Sequence, residues 1–186
     1  QPVGVHFTIA ENNASLIGFC HRMRNDITND FRVGIGFDAH GLVQGRALII
    51  GGVPIPHELG LEGHSDGDVL THSIIDALLG ASNLGDKGLH FPSENPIFKG
   101  ISSLILLEQT FDILNKNGWH ISNVDATILA QKPRLAPFIS DMVSHISKAL
   151  SIRTTRVSIK VTTTDYMGFT GREEGIASCC VASVFS

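Results

Sequence analysis

The stretch Arg32-Val33-Gly34-Ile35-Gly36-Phe37 constrains the fold more than any other part of the chain. Its residues alternate with the two-residue period of a β-strand. Two glycines on one side of that strand either let another backbone approach closely or permit a bulge. The next residues, Asp38-Ala39-His40, continue the period. Asp38 and His40 therefore point the same way, and a carboxylate oxygen beside an imidazole nitrogen suits Zn²⁺.

Downstream, Ala47 to Ile50 reads as a short apolar strand, and Gly51-Gly52 turns the chain before Val53-Pro54-Ile55-Pro56. A helix opens near Ser65 or Asp66, either of which can cap it, and runs to about Leu79. Gly85-Asp86-Lys87-Gly88 reads as loop. Ser102 or Ser103 caps a second helix through Leu106, Leu107, Phe111 and Leu114, stopped by Gly118 as a left-handed cap. Trp119 to Gln131 reads as a strand with Val124, Ala126, Ile128 and Ala130 on one face. A third helix covers about Phe138 to Leu150, and strands at Val157 to Val161 and Ile176 to Phe185 close the chain. This order predicts an α+β fold, a mixed β-sheet with helices packed on one face. Residues 1–30 show no sustained period and read as an N-terminal extension of unknown role, leaving residues 31–186 as the folded domain.

Only 17% of the 186 residues are charged, against ~25% in an average soluble domain. With 42% hydrophobic residues the chain is not disordered, and so lean a surface points to cover by other subunits. Fourteen Lys and Arg against 18 Asp and Glu give a net charge of −4 without a basic stripe, which argues against a nucleic-acid partner. No apolar run approaches the ~20 residues of a membrane helix. No secretory signal opens the chain. Cys20, Cys179 and Cys180 make an odd set without C-x-x-C spacing, which reads as buried thiols in a reducing compartment.

Asp68, His72 and Asp76 are spaced i, i+4, i+8 and form a row on one helical face. Either this is a surface helix with a satisfied histidine, or His72 joins Asp38 and His40 in a three-ligand site with a fourth position open, as in catalytic zinc centres. Asp68 or Asp76 would then hold the other ring nitrogen. His64-Ser65, at a helix N-terminus, either binds an anion such as phosphate or caps the helix without a ligand. Thr162-Thr163-Thr164-Asp165 ends a strand, either as ordinary strand residues or as hydroxyls for phosphate with an acid for Mg²⁺. Arg172, in the turn Gly168 to Gly175, pairs with phosphate or with Glu174. Asp86 and Lys87 face a ligand or only solvent, and Cys179 and Cys180 are core residues.

The order of these segments resembles one family. Arg32-Val-Gly-Ile-Gly-Phe-Asp-Ala-His40, Ile50-Gly-Gly-Val53, Gly63-His-Ser-Asp-Gly-Asp-Val69 with His72, Asp76-Ala-Leu-Leu-Gly80 and Leu84-Gly-Asp86 are similar to the 2-C-methyl-D-erythritol 2,4-cyclodiphosphate synthases. So are Phe91-Pro92, Phe98-Lys-Gly100, Asn123-Val-Asp125, Ala130-Gln131, Pro133, Thr162-Thr-Thr164 and Gly168-Phe-Thr-Gly-Arg172. The resemblance implies a phosphorus–oxygen lyase of the non-mevalonate isoprenoid pathway. Its substrate would be 4-diphosphocytidyl-2-C-methyl-D-erythritol 2-phosphate, whose 2-phosphate attacks the β-phosphorus and expels CMP. Asp38, His40 and His72 would bind Zn²⁺ or another divalent transition metal. His64 and Thr163 would stabilise the transition state, and Ser65, Thr162 and Thr164 would contact phosphate. Asp165 would take Mg²⁺ or Mn²⁺ on the diphosphate. Asp86, Gly88, Phe91, Ser93 and Asn95 would contact the methylerythritol portion. Ala130, Lys132, Pro133, Arg134, Leu135 and Ala136 would form the cytidine pocket, and Phe169 and Arg172 would make further substrate contacts. The resemblance also implies a homotrimer around a threefold axis, with active sites at subunit interfaces. It implies the cytoplasm in a bacterium and a plastid-type organelle in a eukaryote.

The sequence departs from the family's pattern at Asp165, where Glu is common, at Ser93 and Asn95, where acids are common, and at Arg134, often Lys. Two other readings compete: a phosphohydrolase that uses the same Asp/His/His site to activate water, and a non-catalytic trimer that binds a nucleotide or isoprenoid.

Overall fold

The computed structural model describes residues 30–186; of the extension expected at residues 1–30, all but Asp30 lies outside the described residues. The chain runs β1 (Phe31–Val43), β2 (Leu48–Ile50), β3 (Val53–Ile55), β4 (Gly60–Leu61), α1 (Val69–Ala81), α2 (Lys87–His90) and α3 (Ser103–Lys116). It continues with β5 (His120–Leu129), α4 (Ile139–Ala149), β6 (Val157–Thr162), α5 (Gly168–Gly171) and β7 (Gly175–Phe185). Five strands form one sheet in the order β4-β1-β7-β5-β6, while β2 and β3 form a separate ribbon. Only β5 and β6 pair in parallel, so the sheet is mixed, as the element order predicts.

The glycines of β1 resolve the choice between close approach and bulge. β1 and β7 pair in unbroken antiparallel register from Phe31↔Phe185 to Gly41↔Gly175, with no bulge. A Cβ on Gly36 would lie 2.0 Å from the Ser73 carbonyl oxygen, and one on Gly34 would lie 2.1 Å from that of Ala77. The backbone of α1 therefore rests directly on the β1 backbone. α1 also packs on β7, α3 on α1, and α4 on α3 and β6. Leu70, Ile74 and Leu78 of α1, Leu107 and Leu114 of α3, Ile128 of β5 and Met142 of α4 are fully buried in the resulting core. On the sheet's other face Phe31, Val33, Ile35 and Phe37 are 58–70% exposed.

Several boundaries differ from the expected ones. α1 begins at Val69 because Asp68, not Ser65 or Asp66, caps it, accepting the Thr71 N–H. Gly67 has φ +77, which breaks the helical path just before the cap. Of the loop expected at Gly85–Gly88, Lys87 and Gly88 belong to the short α2, which Asp86 caps. Gly168–Gly171 makes one helical turn rather than an open loop. Gly118, at φ +78, follows α3 as expected. Cys180 is buried, and burial pushes its thiol up to about 12. Cys179 is only half-buried, because consecutive strand residues face opposite sides. Among the described residues no helix is long and apolar enough to cross a membrane.

Candidate active site

Asp38 and His40 sit two apart on β1 and project toward α1, on the side that Gly34 and Gly36 leave bare. His72 lies one residue before Ser73, whose carbonyl faces Gly36. The close packing of helix on strand thus brings three side chains to one point. Asp38 Oδ2 is 2.8 Å from His40 Nε2 and 2.9 Å from His72 Nδ1, and the two ring nitrogens are 3.2 Å apart.

The far side of the His72 ring decides what that point can hold. Ser103 Oγ is 2.8 Å from His72 Nε2, and it donates its proton to Asp66 Oδ1. An ionised carboxylate only accepts, so Ser103 Oγ must accept in turn from His72 Nε2–H. His72 Nδ1 then carries a lone pair, and it faces a carboxylate oxygen. Lone pairs packed at such distances need a cation among them, either a proton shared by Asp38, His40 and His72 or a metal ion. Ligands about 2.0–2.1 Å from a tetrahedral ion stand roughly 3.3 Å apart, close to the spacing found here. The donor set fits a divalent transition metal. Burial pushes the Asp38 carboxyl up, but hydrogen bonds with His40 and His72 and the nearby Lys87 ammonium outweigh it and hold the group well below the usual carboxylate range.

The residues that hold His72 are not those expected. Asp68 is fully buried and takes the N–H groups of Gly51 and Gly52 at 2.9 and 2.7 Å, besides Thr71 N–H and Oγ1. It pins the β2–β3 turn to the start of α1, where it also occupies the N-terminal position proposed for an anion at His64-Ser65. Burial and the neighbouring Asp66 push its carboxyl up against those donors. Asp76 accepts the Lys87 N–H at 2.7 Å and ties α1 to α2. Neither acid reaches the imidazole, because each is turned to a backbone donor on another segment. Ser103 and Asp66 do that work, helped by Ser65, whose Oγ is 3.1 Å from His72 Nε2. Arg46 is a further residue with no advance signal; its guanidinium donates to the carbonyls of Gly63 and Ser65 at 2.8 and 2.6 Å and fixes the loop that carries His64.

A cavity of about 270 Å³ opens beside the cluster, lined by His40, His64, Ser65, His72, Gly88, Phe91 and Ser93 of the expected set. Lys87, Phe98 and Leu106 complete it. Asp86 and Asn95 do not line it; their side chains cap α2 and the 3₁₀ turn Pro96–Phe98. Phe169 lines a second hollow, which His40 also borders.

Thr162, Thr163, Thr164 and Asp165 lie at the end of β6, three strands from β1, a separation of ~14 Å. Thr163 Oγ1 donates to Asp165 Oδ1 at 3.1 Å, and Thr164 Oγ1 to the Met167 carbonyl at 2.6 Å. The segment Ala130–Ala136 borders them: Ala130 N–H donates to the Thr162 carbonyl at 3.0 Å, and Lys132 pairs with Glu173 at 3.0 Å. Leu135 is buried, Arg134 and Ala136 are exposed, and the Lys132–Pro133 peptide bond is cis. Arg172 holds Glu174 in a two-pronged pair at 2.8 and 3.1 Å. One chain therefore holds the Thr162–Asp165 turn and the Ala130–Ala136 segment apart from the metal cluster, while Phe169 borders His40.

The sequence model of the YgbB family matches residues 31–185. A 2-C-methyl-D-erythritol 2,4-cyclodiphosphate synthase of Agathobacter rectalis is 56% identical over 153 residues, 82% of this chain and 86% of its own. The synthase of the same name from Clostridium beijerinckii is 55% identical over 155 residues, 83% of this chain and 98% of its own. Among solved structures, the bifunctional IspDF from Campylobacter jejuni gives a TM-score of 0.82 at 39% identity over 85% of this chain, which spans only 43% of that longer protein. IspF of Plasmodium falciparum, solved as a CDP complex, gives 0.74 at 30% identity, covering 86% of this chain and 98% of its own. Sequence and fold agree along the whole of the described domain, and the chain belongs to the YgbB family, that of the 2-C-methyl-D-erythritol 2,4-cyclodiphosphate synthases.

Proposed function

We propose that the chain converts 4-diphosphocytidyl-2-C-methyl-D-erythritol 2-phosphate to 2-C-methyl-D-erythritol 2,4-cyclodiphosphate and CMP, as a phosphorus–oxygen lyase of the non-mevalonate isoprenoid pathway. The observation that carries the reading is the Asp38/His40/His72 cluster opening onto a cavity with His64 at its rim. An oxygen of the substrate's 2-phosphate forms a bond to the β-phosphorus as the bond from that phosphorus to the bridging oxygen breaks, and CMP leaves with the electron pair. The substrate supplies its own nucleophile, so the chain's work is to align and to neutralise charge.

Asp38, His40 and His72 would hold Zn²⁺ or a similar divalent ion, which supplies Lewis acidity to a phosphate oxygen. Ser103 and Asp66 keep the His72 Nδ1 lone pair directed into the cluster. His64 and Ser65 offer donors on the cavity side, while Phe91, Phe98 and Leu106 exclude water that would otherwise compete as nucleophile. Asp165 would take Mg²⁺ bound to the diphosphate, and Thr163 would donate to the developing charge.

A homotrimer is the assembly that unites the two groups of residues. The cytidine segment Ala130–Ala136 and the Thr162–Asp165 turn would face the metal cluster of a neighbouring chain. The exposed apolar row Phe31, Val33, Ile35 and Phe37 with Val181 gives the sheet a face suited to burial against other copies. ³¹P NMR of the protein with the cytidylyl substrate, Mg²⁺ and Zn²⁺ tests the reading. CMP with a cyclic diphosphate is expected. CMP with an open-chain bisphosphate would mean that water attacks, and no turnover by zinc-loaded protein would leave a binding module.

A further inference from the structure

One cation beside the cluster has no part in the roles assigned so far. Lys87 opens α2, and its ammonium lies 3.5 Å from Asp38 Oδ2. That oxygen is the one His40 Nε2 and His72 Nδ1 also approach. The root of the Lys87 side chain is fixed, because its backbone N–H is held by Asp76. Its stem is not, and the side chain is 24% exposed and lines the cavity with His64 and Ser65. Asp76 and Asp86 each accept one backbone N–H, from Lys87 and Leu89, and neither makes an ion pair with the ammonium. No Asp or Glu is among the described residues that line the cavity.

A carboxylate oxygen cannot serve an ammonium and a divalent ion equally. The ion carries twice the charge and approaches to about 2.0–2.2 Å, so it wins the oxygen. It also repels a like charge this close. The freed ammonium, on a flexible four-carbon stem, can then turn to an anion in the cavity, which among the described residues no Asp or Glu lines.

We propose that Lys87 is a substrate-phosphate cation of this site, parked on the Asp38 carboxylate until a divalent ion takes that oxygen over. In the metal-free protein the ammonium neutralises the carboxylate and competes with the metal. In the loaded protein it turns to a phosphate oxygen of the bound substrate and adds a second positive charge to the cavity. The proposal rests on the cyclodiphosphate synthase reading for its substrate, but not for its metal behaviour.

Lys87→Met keeps the length of the stem and removes the charge, and Lys87→Arg keeps the charge. Metal-stripped proteins are titrated with Zn²⁺ against a chromophoric chelator, and KM and kcat for the cytidylyl substrate are measured at saturating metal. If the ion pair is closed about nine-tenths of the time, Lys87→Met binds Zn²⁺ about tenfold more tightly, with Lys87→Arg near wild type. The same Lys87→Met variant shows a KM raised about tenfold, with kcat within about threefold. A substitution that merely loosened the site would weaken both the metal and the substrate, so opposite signs are the signature. Zinc affinity that is unchanged or weaker in Lys87→Met, or an unchanged KM, overturns the proposal. Should Lys87→Met not fold, Lys87→Gln carries the same test. Absence of turnover in the wild type would instead sink the synthase reading, while the zinc titration still decides whether Lys87 competes for Asp38.

Discussion

Replacing Gly36 with alanine should damage the fold and the metal site together. The added Cβ would stand 2.0 Å from the Ser73 carbonyl oxygen and 2.6 Å from the Ala77 nitrogen. An ordinary carbon–oxygen contact is about 3.3 Å or longer, so α1 must retreat from β1 by roughly 1.3 Å. Both intruding atoms belong to helix backbone, and no rotamer change relieves them. Overpacking of this kind costs ~3 kcal/mol, the upper end of the usual range. In a domain of this size that lowers Tm by about 6–12 °C. His72 rides on the same helical turn as Ser73, so the 2.9 Å between His72 Nδ1 and Asp38 Oδ2 would open by a comparable amount. Metal sites tolerate bond-length errors of only about 0.2 Å. Differential scanning calorimetry and zinc titration should therefore both report a loss. Gly80→Ala is the control, since it sits in the same helix with nothing near its Cβ, and it should be neutral or stabilise by up to about 1 kcal/mol. If Gly36→Ala melts within 2 °C of wild type, by the same scale of a few degrees per kcal/mol, the close-packing argument fails. If it melts early but binds zinc normally, the helix tilts instead of lifting, and the link between packing and site is wrong.

Ser103→Ala removes the hydroxyl that fixes the His72 tautomer, and zinc affinity should fall about 10- to 100-fold with little change in Tm; chelator competition reads the first and calorimetry the second, and undiminished affinity would remove Ser103 from the site. Asp165→Glu restores the commoner acid and should leave the Mg²⁺ requirement of turnover unchanged or tightened; loss of activity with zinc still bound would show that this position is not a tolerant magnesium ligand. The Asp125 carboxyl is held low chiefly by its hydrogen bond with Lys160, so its folded value lies below the unfolded one. The pair's small stabilisation is then present above about pH 3.9 and lost as pH falls through the folded value. Carboxyl NMR should place the Asp125 midpoint below the ordinary one and return it there in Lys160→Met; a midpoint that does not move with Lys160 would refute the assignment.

How much of this was legible in the sequence depends on the distance over which each feature is decided. Strand alternation is local, so β1, β5 and β7 and the shared direction of Asp38 and His40 were readable. The start of α1 was misread because Asp68 is selected by four donors, two of them from the Gly51-Gly52 turn, which lies far off in sequence. The same reason hid Ser103 and Arg46. Nothing near Ser103 in sequence marks it as the partner of a histidine 31 residues away, and spacing on one helix pointed to Asp68 and Asp76 instead. A helical row places side chains on a face; it does not say which of them turn to backbone donors on other segments. The sequence leaves Lys87 open between ligand and solvent, because its neighbours are glycine and aspartate, whereas its position is settled by Asp76 on a different helix.

Gly34 and Gly36 join these two scales. On their own they announce only that something comes close, and a bulge would have used them as well. What comes close is the helix that carries the third member of the cluster, in register, so that Ser73 faces Gly36 and His72 faces Asp38 and His40. Any side chain larger than hydrogen at these two positions would set the helix at an ordinary strand–helix distance. The Asp38, His40 and His72 side chains, placed as they are, would then no longer bring their atoms within about 3 Å of one another. The cluster is therefore a consequence of the packing distance, and the glycines set that distance.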